Sequence, residues 1–156
     1  MPIRPSAKAI IIQDNALLAI KKRDRKGDYY ILPGGGQDYG EALHDALRRE
    51  CQEEIGTTVD VGNLLFVRDY IGQNHEFADD ESERQAHALE LMFACSLPVG
   101  ATVTKGSHPD EGQIGVEWLP LDRIHQFRLY PLTMRDHVAN PGCLRERQAV
   151  YLGDVN

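Results

Sequence analysis

Apolar positions come in short, dense runs early in the chain. AKAIIIQ (7–13) and ALLAIKK (16–22) are rich in aliphatic and β-branched residues and predict two strands, with Asp14-Asn15 between them as a hairpin turn. YYILP (29–33) predicts a short strand that runs into three consecutive glycines. From about residue 40 to 55 the apolar period lengthens to that of a helix, with Gly56 as its C-terminal stop. NLLFVRDYIG (63–72) and HALELMFACSL (87–97) predict two more strands, and IGVEWLPL (114–121) another that ends near Pro120. LDRIHQF and PLTMRDHV predict one or two short helices, the second opened by Pro131. A last strand is expected within RERQAVYLGDVN, so that the chain from about residue 143 is a tail or final strand. The polar segments QNHEFADDESERQ (73–85) and GATVTKGSHPDEGQ (100–113) read as connections, the first acidic, solvated and mobile. Strands on both sides of a central helix, with further helices late in the chain, predict an α/β fold: a mixed sheet covered on both faces.

The 156 residues show no repeat, linker or low-complexity tract, and are expected to form one domain spanning 1–156. A net charge of −7 argues against a broad nucleic-acid-binding surface, while a small anionic ligand stays compatible if a metal or a few local cations reverse the sign in a cleft. No apolar run is long enough to span a bilayer, and the N-terminal stretch lacks the long apolar region and small-residue cleavage site of a signal peptide, so cytoplasmic residence is expected. Cys51, Cys95 and Cys143 are odd in number and widely spaced, which fits neither a disulfide framework nor a zinc site; Cys51 and Cys95 read as small buried hydrophobes.

The central helix carries its charges in an unusual place. With Glu50 at zero on a helical wheel, Leu43, Leu47, Cys51 and Ile55 fall at roughly 20°, 60°, 100° and 140°, a ridge that must be buried. Asp45, Arg48, Arg49 and Gln52 fall between roughly 160° and 260°, a solvent face. Glu54 lies at roughly 40° and Glu53 at roughly 300°, so Glu50, Glu53 and Glu54 gather around the apolar ridge rather than opposite it. Half-buried carboxylates need cations or hydrogen-bond donors. Arg49 can pair with Glu41 or Glu53, but one arginine does not neutralise three glutamates. A divalent metal does, and dense oxygen ligation suits Mg²⁺ or Mn²⁺. A salt-bridged surface helix is the alternative. Gly34–Gly36, lacking Cβ atoms, can approach a ligand closely and turn a carbonyl toward a metal.

These residues spell a more specific pattern. Gly35, Glu41, Arg49, Glu50, Glu53, Glu54 and Gly56 occupy every fixed position of G-x5-E-x7-R-E-U-x-E-E-x-G-U, where U is a bulky aliphatic residue. The stretch resembles the signature of the Nudix hydrolases, of MutT type. Cys51 and Thr57 depart from it at packing positions. The preceding LPGG and the later DEGQIGVEWLPL are similar to the family as well. The resemblance implies an α/β/α sandwich with a mixed sheet and Mg²⁺-dependent (or Mn²⁺-dependent) hydrolysis of a phosphoanhydride in a nucleoside diphosphate derivative. It implies metal binding by Glu50, Glu53, Glu54 and the Gly34 carbonyl, and bracing by Arg49 and Glu41. Glu53, Glu50, Arg49 and, in DEGQ, Glu111 are the candidate catalytic residues, Glu111 as metal ligand or base. Lys22 and Arg23 in the basic run KKRDRK, with Gly35 and Gly36, are candidate substrate contacts. A non-catalytic Nudix-fold sensor that binds a nucleotide is the alternative function. The expected partner is a small nucleotide-derived substrate, with neither nucleic acid nor membrane, and a homodimer accords with many relatives. Tyr29, Tyr30 and Trp118 are expected to pack in the core or cleft wall, and His44 and His87 to serve local hydrogen bonds. Gln73 stands where ADP-ribose-hydrolysing subfamilies carry a proline, and Asn74 and His75 where dinucleoside polyphosphate hydrolases carry a tyrosine. A nucleoside triphosphate, a modified nucleotide or a nucleotide sugar therefore remains open as substrate.

Overall fold

The computed structural model describes residues 2–144 and 148–156. Among the described residues nine strands form one mixed sheet: β1 (Arg4–Gln13), β2 (Ala16–Asp24), β3 (Gly27–Ile31), β4 (Gly34–Gly36), β5 (Asp60–Ile71), β6 (His87–Ser96), β7 (Gly115–Pro120), β8 (Leu129–Tyr130) and β9 (Val150–Asp154). Asp14 and Asn15 both adopt positive φ, the geometry of a tight hairpin whose twist matches its strands. The central helix α1 spans Leu43–Ile55, starting three residues later than the periodicity suggests, and Gly56 closes it in the left-handed region.

The sheet splits in a way that creates the site. β1 and β2 pair only at the hairpin, through Ile12–Leu17 and Gln13–Ala16, and then diverge. β3 fills the gap beside β2, with Ile20 opposite Ile31. The chain then crosses at Leu32-Pro33, where the Ala9 amide donates to the Pro33 carbonyl at 2.8 Å, and β4 pairs with β1. On its other edge β1 runs parallel to β6, while β7 pairs with β2 and β5 joins β6 to β9.

Strand alternation sends successive side chains of β1 to opposite layers. Ala7, Ala9 and Ile11 pack with Leu18, Ile20 and Phe93 against Leu47, Cys51 and Ile55 of α1. Ile10 faces the other layer, where Leu17, Phe66 and Met92 meet Ile124, Met134 and Val138 from the short helices late in the chain. The expected α/β/α layering holds. The second late helix, α3 (Met134–Val138), begins three residues beyond Pro131, whose carbonyl accepts the Met134 amide instead.

Cys51 is fully buried, Cys95 half-buried and Cys143 exposed. Tyr30 is buried with Phe127 edge-on at 5.7 Å, Trp118 packs in the α1-side core, His87 bonds Asp69 at 3.0 Å, and His44 sets its ring against Phe93. The acidic segment 73–85 is not the plain solvated loop its composition suggests. It holds a short helix α2 (Glu81–Gln85), capped by Asp80 Oδ1 on the Ser82 and Glu83 amides, and Phe77 tucks inward. A capping carboxylate and one aromatic anchor order the segment, while its seven other acidic and amide side chains stay exposed to water. Part of the expected tail, 145–147, lies outside the described residues. Among the described residues no helix is long and apolar enough to cross a membrane.

Candidate functional site

Arg49 is the hub of the loop that leads into α1. Its Nε and Nη2 donate to the two oxygens of Glu41 at 2.8 and 3.0 Å, Nη2 also reaches the Gly36 carbonyl at 3.1 Å, and Nη1 donates to Glu50 Oε1 at 3.0 Å. The planar fork suits this bidentate grip. Glu41 also accepts the Asp38 amide at 3.0 Å, and the Arg49 bonds, helped by that amide, hold its carboxyl down at about 2. Arg49 thus ties β4, the loop and the helix together, while its charge is spread over three glutamates, with Glu53 Oε2 at 3.6 Å.

The three helix carboxylates sit at graded depth. Side-chain exposure is 35% for Glu53 and 16% for Glu50, while Glu54 is 2% exposed. Burial pushes the Glu54 carboxyl up to about 8 against the attraction of Lys8, and Glu50 and Asp110 add repulsion. Its Oε2 is buried without a hydrogen-bond partner. Such an atom costs roughly 1–3 kcal/mol or more if nothing ever occupies it. Gly35 opens the space beside Glu50: a Cβ there would stand 2.5 Å from Glu50 Cδ. Gly34 has φ +131°, and a Cβ on it would strike the Ala7 carbonyl at 2.1 Å, so only glycine brings β4 this close to β1.

Among the described residues no three His, Cys, Asp or Glu side chains already converge as a ready cation cage. Glu50 is drawn to Arg49 instead. The donor set nevertheless fits a hard divalent ion: an orphaned buried carboxylate oxygen, a second carboxylate repelling it, and a third half open to solvent.

The loop after β6 returns across the C-terminal end of α1 and satisfies its open carbonyls. Thr104 N donates to Ile55 O at 2.9 Å, His108 N to Glu53 O at 3.0 Å, and the buried Gln113 side chain to Glu54 O at 2.9 Å. Glu111 lies exposed on this loop. Its neighbour Asp110 is the acidic residue of the loop whose charge acts on Glu54, and it also pairs with Lys22 at 3.0 Å.

A cleft of about 230 Å³ opens on the sheet face opposite α1, between β1, β3, β5, β6 and the 73–85 segment. Tyr29, Phe77 and Tyr130 form an aromatic cluster with centroid distances of 5.3–5.9 Å, and Arg128 lies over the Tyr29 and Tyr130 rings. Tyr130 donates its hydroxyl to Glu76 at 2.6 Å, which fastens the segment over the cleft. Lys8, Lys22, Arg68 and Glu90 also line the cleft. Arg68 Nε and Glu90 Oε2 are 2.6 Å apart; burial alone would raise the Glu90 carboxyl, yet Arg68 and Lys8 hold it below its usual value.

The structure therefore brings Gly34–Gly36, Glu41, Arg49, Glu50, Glu53 and Glu54 together, and sets Lys22 in the neighbouring cleft. Arg23 points to solvent and pairs with Asp28 at 2.6 Å. Gly36 faces Arg4, whose guanidinium a Cβ would meet at 2.1 Å. Lys8, Arg68, Phe77, Glu90, Asp110, Gln113 and Tyr130 escaped sequence reasoning. Only the buried charge implied by an Arg and a Glu inside two apolar strand runs hinted at Arg68 and Glu90.

The family model described as NUDIX domain matches residues 2–139. An ADP-ribose pyrophosphatase of Methanocaldococcus jannaschii is 28% identical over 106 residues, 67% of this chain and 56% of that protein. The nucleoside triphosphatase NudI of an Enterobacter species is 35% identical over 91 residues, 54% of this chain and 63% of the relative. The chain thus spans less than two thirds of the length of these curated relatives. A solved structure named ADP-ribose pyrophosphatase from Streptococcus suis superposes with a TM-score of 0.67 at 16% identity, covering 96% of this chain and 99% of that one. A NUDIX hydrolase from Nitrosomonas europaea does so at 0.70 and 15%, covering 100% and 80%. At such identities these two likenesses speak to the fold alone.

Proposed function

The chain belongs to the NUDIX domain family, and on that premise we propose that it is a divalent-metal-dependent pyrophosphohydrolase that cleaves a phosphoanhydride bond in a nucleoside diphosphate derivative. One observation carries the reading: the buried Glu54 carboxylate, whose Oε2 has no hydrogen-bond partner and which Glu50 crowds. Glu50, Glu53, Glu54 and the Gly34 carbonyl would hold Mg²⁺ or Mn²⁺. When bound, such an ion offsets phosphate charge and acidifies a water.

The chain's own groups then divide the work. Glu53, the most open of the three, accepts the proton of the attacking water, with Glu111 on the capping loop as the second candidate. Arg49 fixes Glu50 and the glycine strand without needing to touch substrate. Tyr29, Phe77 and Tyr130 offer faces and edges to one heteroaromatic ring, and a cleft of about 230 Å³ suits one base rather than two. Lys22 stands on the phosphate side. Relatives named for nucleoside triphosphates and for ADP-ribose support both as substrate classes for trial.

The test is a panel of nucleoside triphosphates, ADP-ribose and nucleotide sugars, incubated with Mg²⁺ and followed by chromatography beside Glu53→Gln. Turnover that needs the metal and drops in the variant supports the reading. Binding of panel members without turnover would leave a nucleotide sensor in its place.

A further inference from the structure

Lys8 stands opposite Gly34 in the antiparallel β1–β4 register, and its Nζ donates to the Gly34 carbonyl oxygen at 3.2 Å. No carboxylate within ion-pair distance of this half-buried ammonium is found among the described residues. Instead its field is shared. It is the leading attraction on Glu54 from one side, and it acts beside Arg68 on Glu90 from the other. It also lines the aromatic cleft. Lys8 therefore occupies the junction between the carboxylate helix and the substrate cleft, as a cation attached to an oxygen that the proposed function gives to a metal.

Two cations do not share that oxygen easily, because their repulsion in a half-buried setting outweighs one hydrogen bond. Lysine is the residue suited to yielding: a compact charge on a flexible four-carbon stem, with donors that re-aim at little cost. The alternative direction for its ammonium is the cleft, where Glu90 already pulls on it and where substrate phosphates would bring far more negative charge.

We propose that Lys8 is a stand-in cation. It caps the Gly34 carbonyl while no divalent ion is bound, competes with the ion for that place, and on displacement turns to the substrate phosphates. Lys8 is thus a positioning residue that links the loading of metal to the binding of phosphate. The inference rests on the reading of Gly34 and the helix glutamates as the metal site.

Its signature is a pair of effects of opposite sign. Without the competing ammonium, metal binds more tightly; without the displaced ammonium, phosphate binds more weakly. A merely structural lysine would weaken both or neither. Mn²⁺ binding to the substrate-free protein, measured by electron paramagnetic resonance, is expected to be about tenfold tighter in Lys8→Met than in wild type. The KM for the best panel substrate is expected to rise by about tenfold. Lys8→Arg, which keeps the charge, should stay near wild type in Mn²⁺ affinity, and circular dichroism confirms that each variant is folded. Equal or weaker Mn²⁺ binding by a folded Lys8→Met overturns the stand-in role while leaving the metal site intact. Absence of Mn²⁺ binding in wild type and variant alike overturns the metal reading itself.

Discussion

Arg49 grips both oxygens of Glu41 across eight residues of sequence, with Nε and Nη2 at 2.8 and 3.0 Å, and uses its remaining nitrogen on Glu50. The loop before α1 and the carboxylates on it are thereby set by one planar group. Arg49→Lys keeps the charge but loses the fork. We expect turnover to fall by about 10–100-fold with a modest loss of stability, measured as kcat beside thermal unfolding.

Glu54 makes stability depend on pH in an uncommon direction. Burial first, then Glu50 and Asp110, lift its carboxyl from 4.5 to about 8 despite Lys8. The folded state then holds a proton that the unfolded state releases, so this group's contribution is fully present below about pH 4.5 and is lost as pH rises toward 8. In metal-free protein, thermal stability is expected to fall across that window, by up to a few kcal/mol for this group, and Glu54→Gln to flatten the slope. Added Mg²⁺ should oppose the decline, since it binds the ionised form.

Two neighbouring glycines separate folding from chemistry. In Gly34→Ala a Cβ meets the Ala7 backbone at a positive φ, and destabilisation of about 2–4 kcal/mol is expected in denaturant unfolding. In Gly35→Ala the Cβ meets the movable end of Glu50 instead. That variant should fold near normally, yet lose about 100-fold in turnover as Glu50 is displaced.

Phe77 closes the aromatic cluster from the 73–85 segment, 5.4 Å from Tyr29 and 5.3 Å from Tyr130. Phe77→Ala removes a face of the cleft but no catalytic group. Steady-state kinetics should show KM raised by about tenfold with kcat changed much less.

How much of this was legible in the sequence differs by kind of contact. The depth of Glu54 was readable because it depends on helical geometry alone: at roughly 40° on the wheel it lies between Leu43 and Leu47, and it is buried. The Arg49–Glu41 grip was readable as a pairing, since both lie within one loop and helix. Lys8 was not, because in AKAIIIQ it looks like an ordinary polar position of an alternating strand, and its partner Gly34 lies 26 residues away. The cleft was hidden for the same reason. Tyr29 and Tyr130 meet because β8 runs parallel beside β3, and Phe77 reaches them from the 73–85 segment, a consequence of pairing that no local pattern states. In the 73–85 segment the charges named the exposure correctly, but not the Asp80-capped helix or the Phe77 anchor that orders it.

The central claim is attack of water on phosphorus by a metal-loaded carboxylate site, and ¹⁸O-labelled water tests it most directly. Wild-type protein, Mg²⁺ and the best substrate of the panel are incubated in H₂¹⁸O, and the products are examined by ³¹P nuclear magnetic resonance. One labelled oxygen should enter a product phosphate group at each turnover, with the reaction abolished by a chelator and slowed by at least about 100-fold in Glu53→Gln. Turnover that leaves every phosphate unlabelled, or that continues unchanged without a divalent ion, would contradict it.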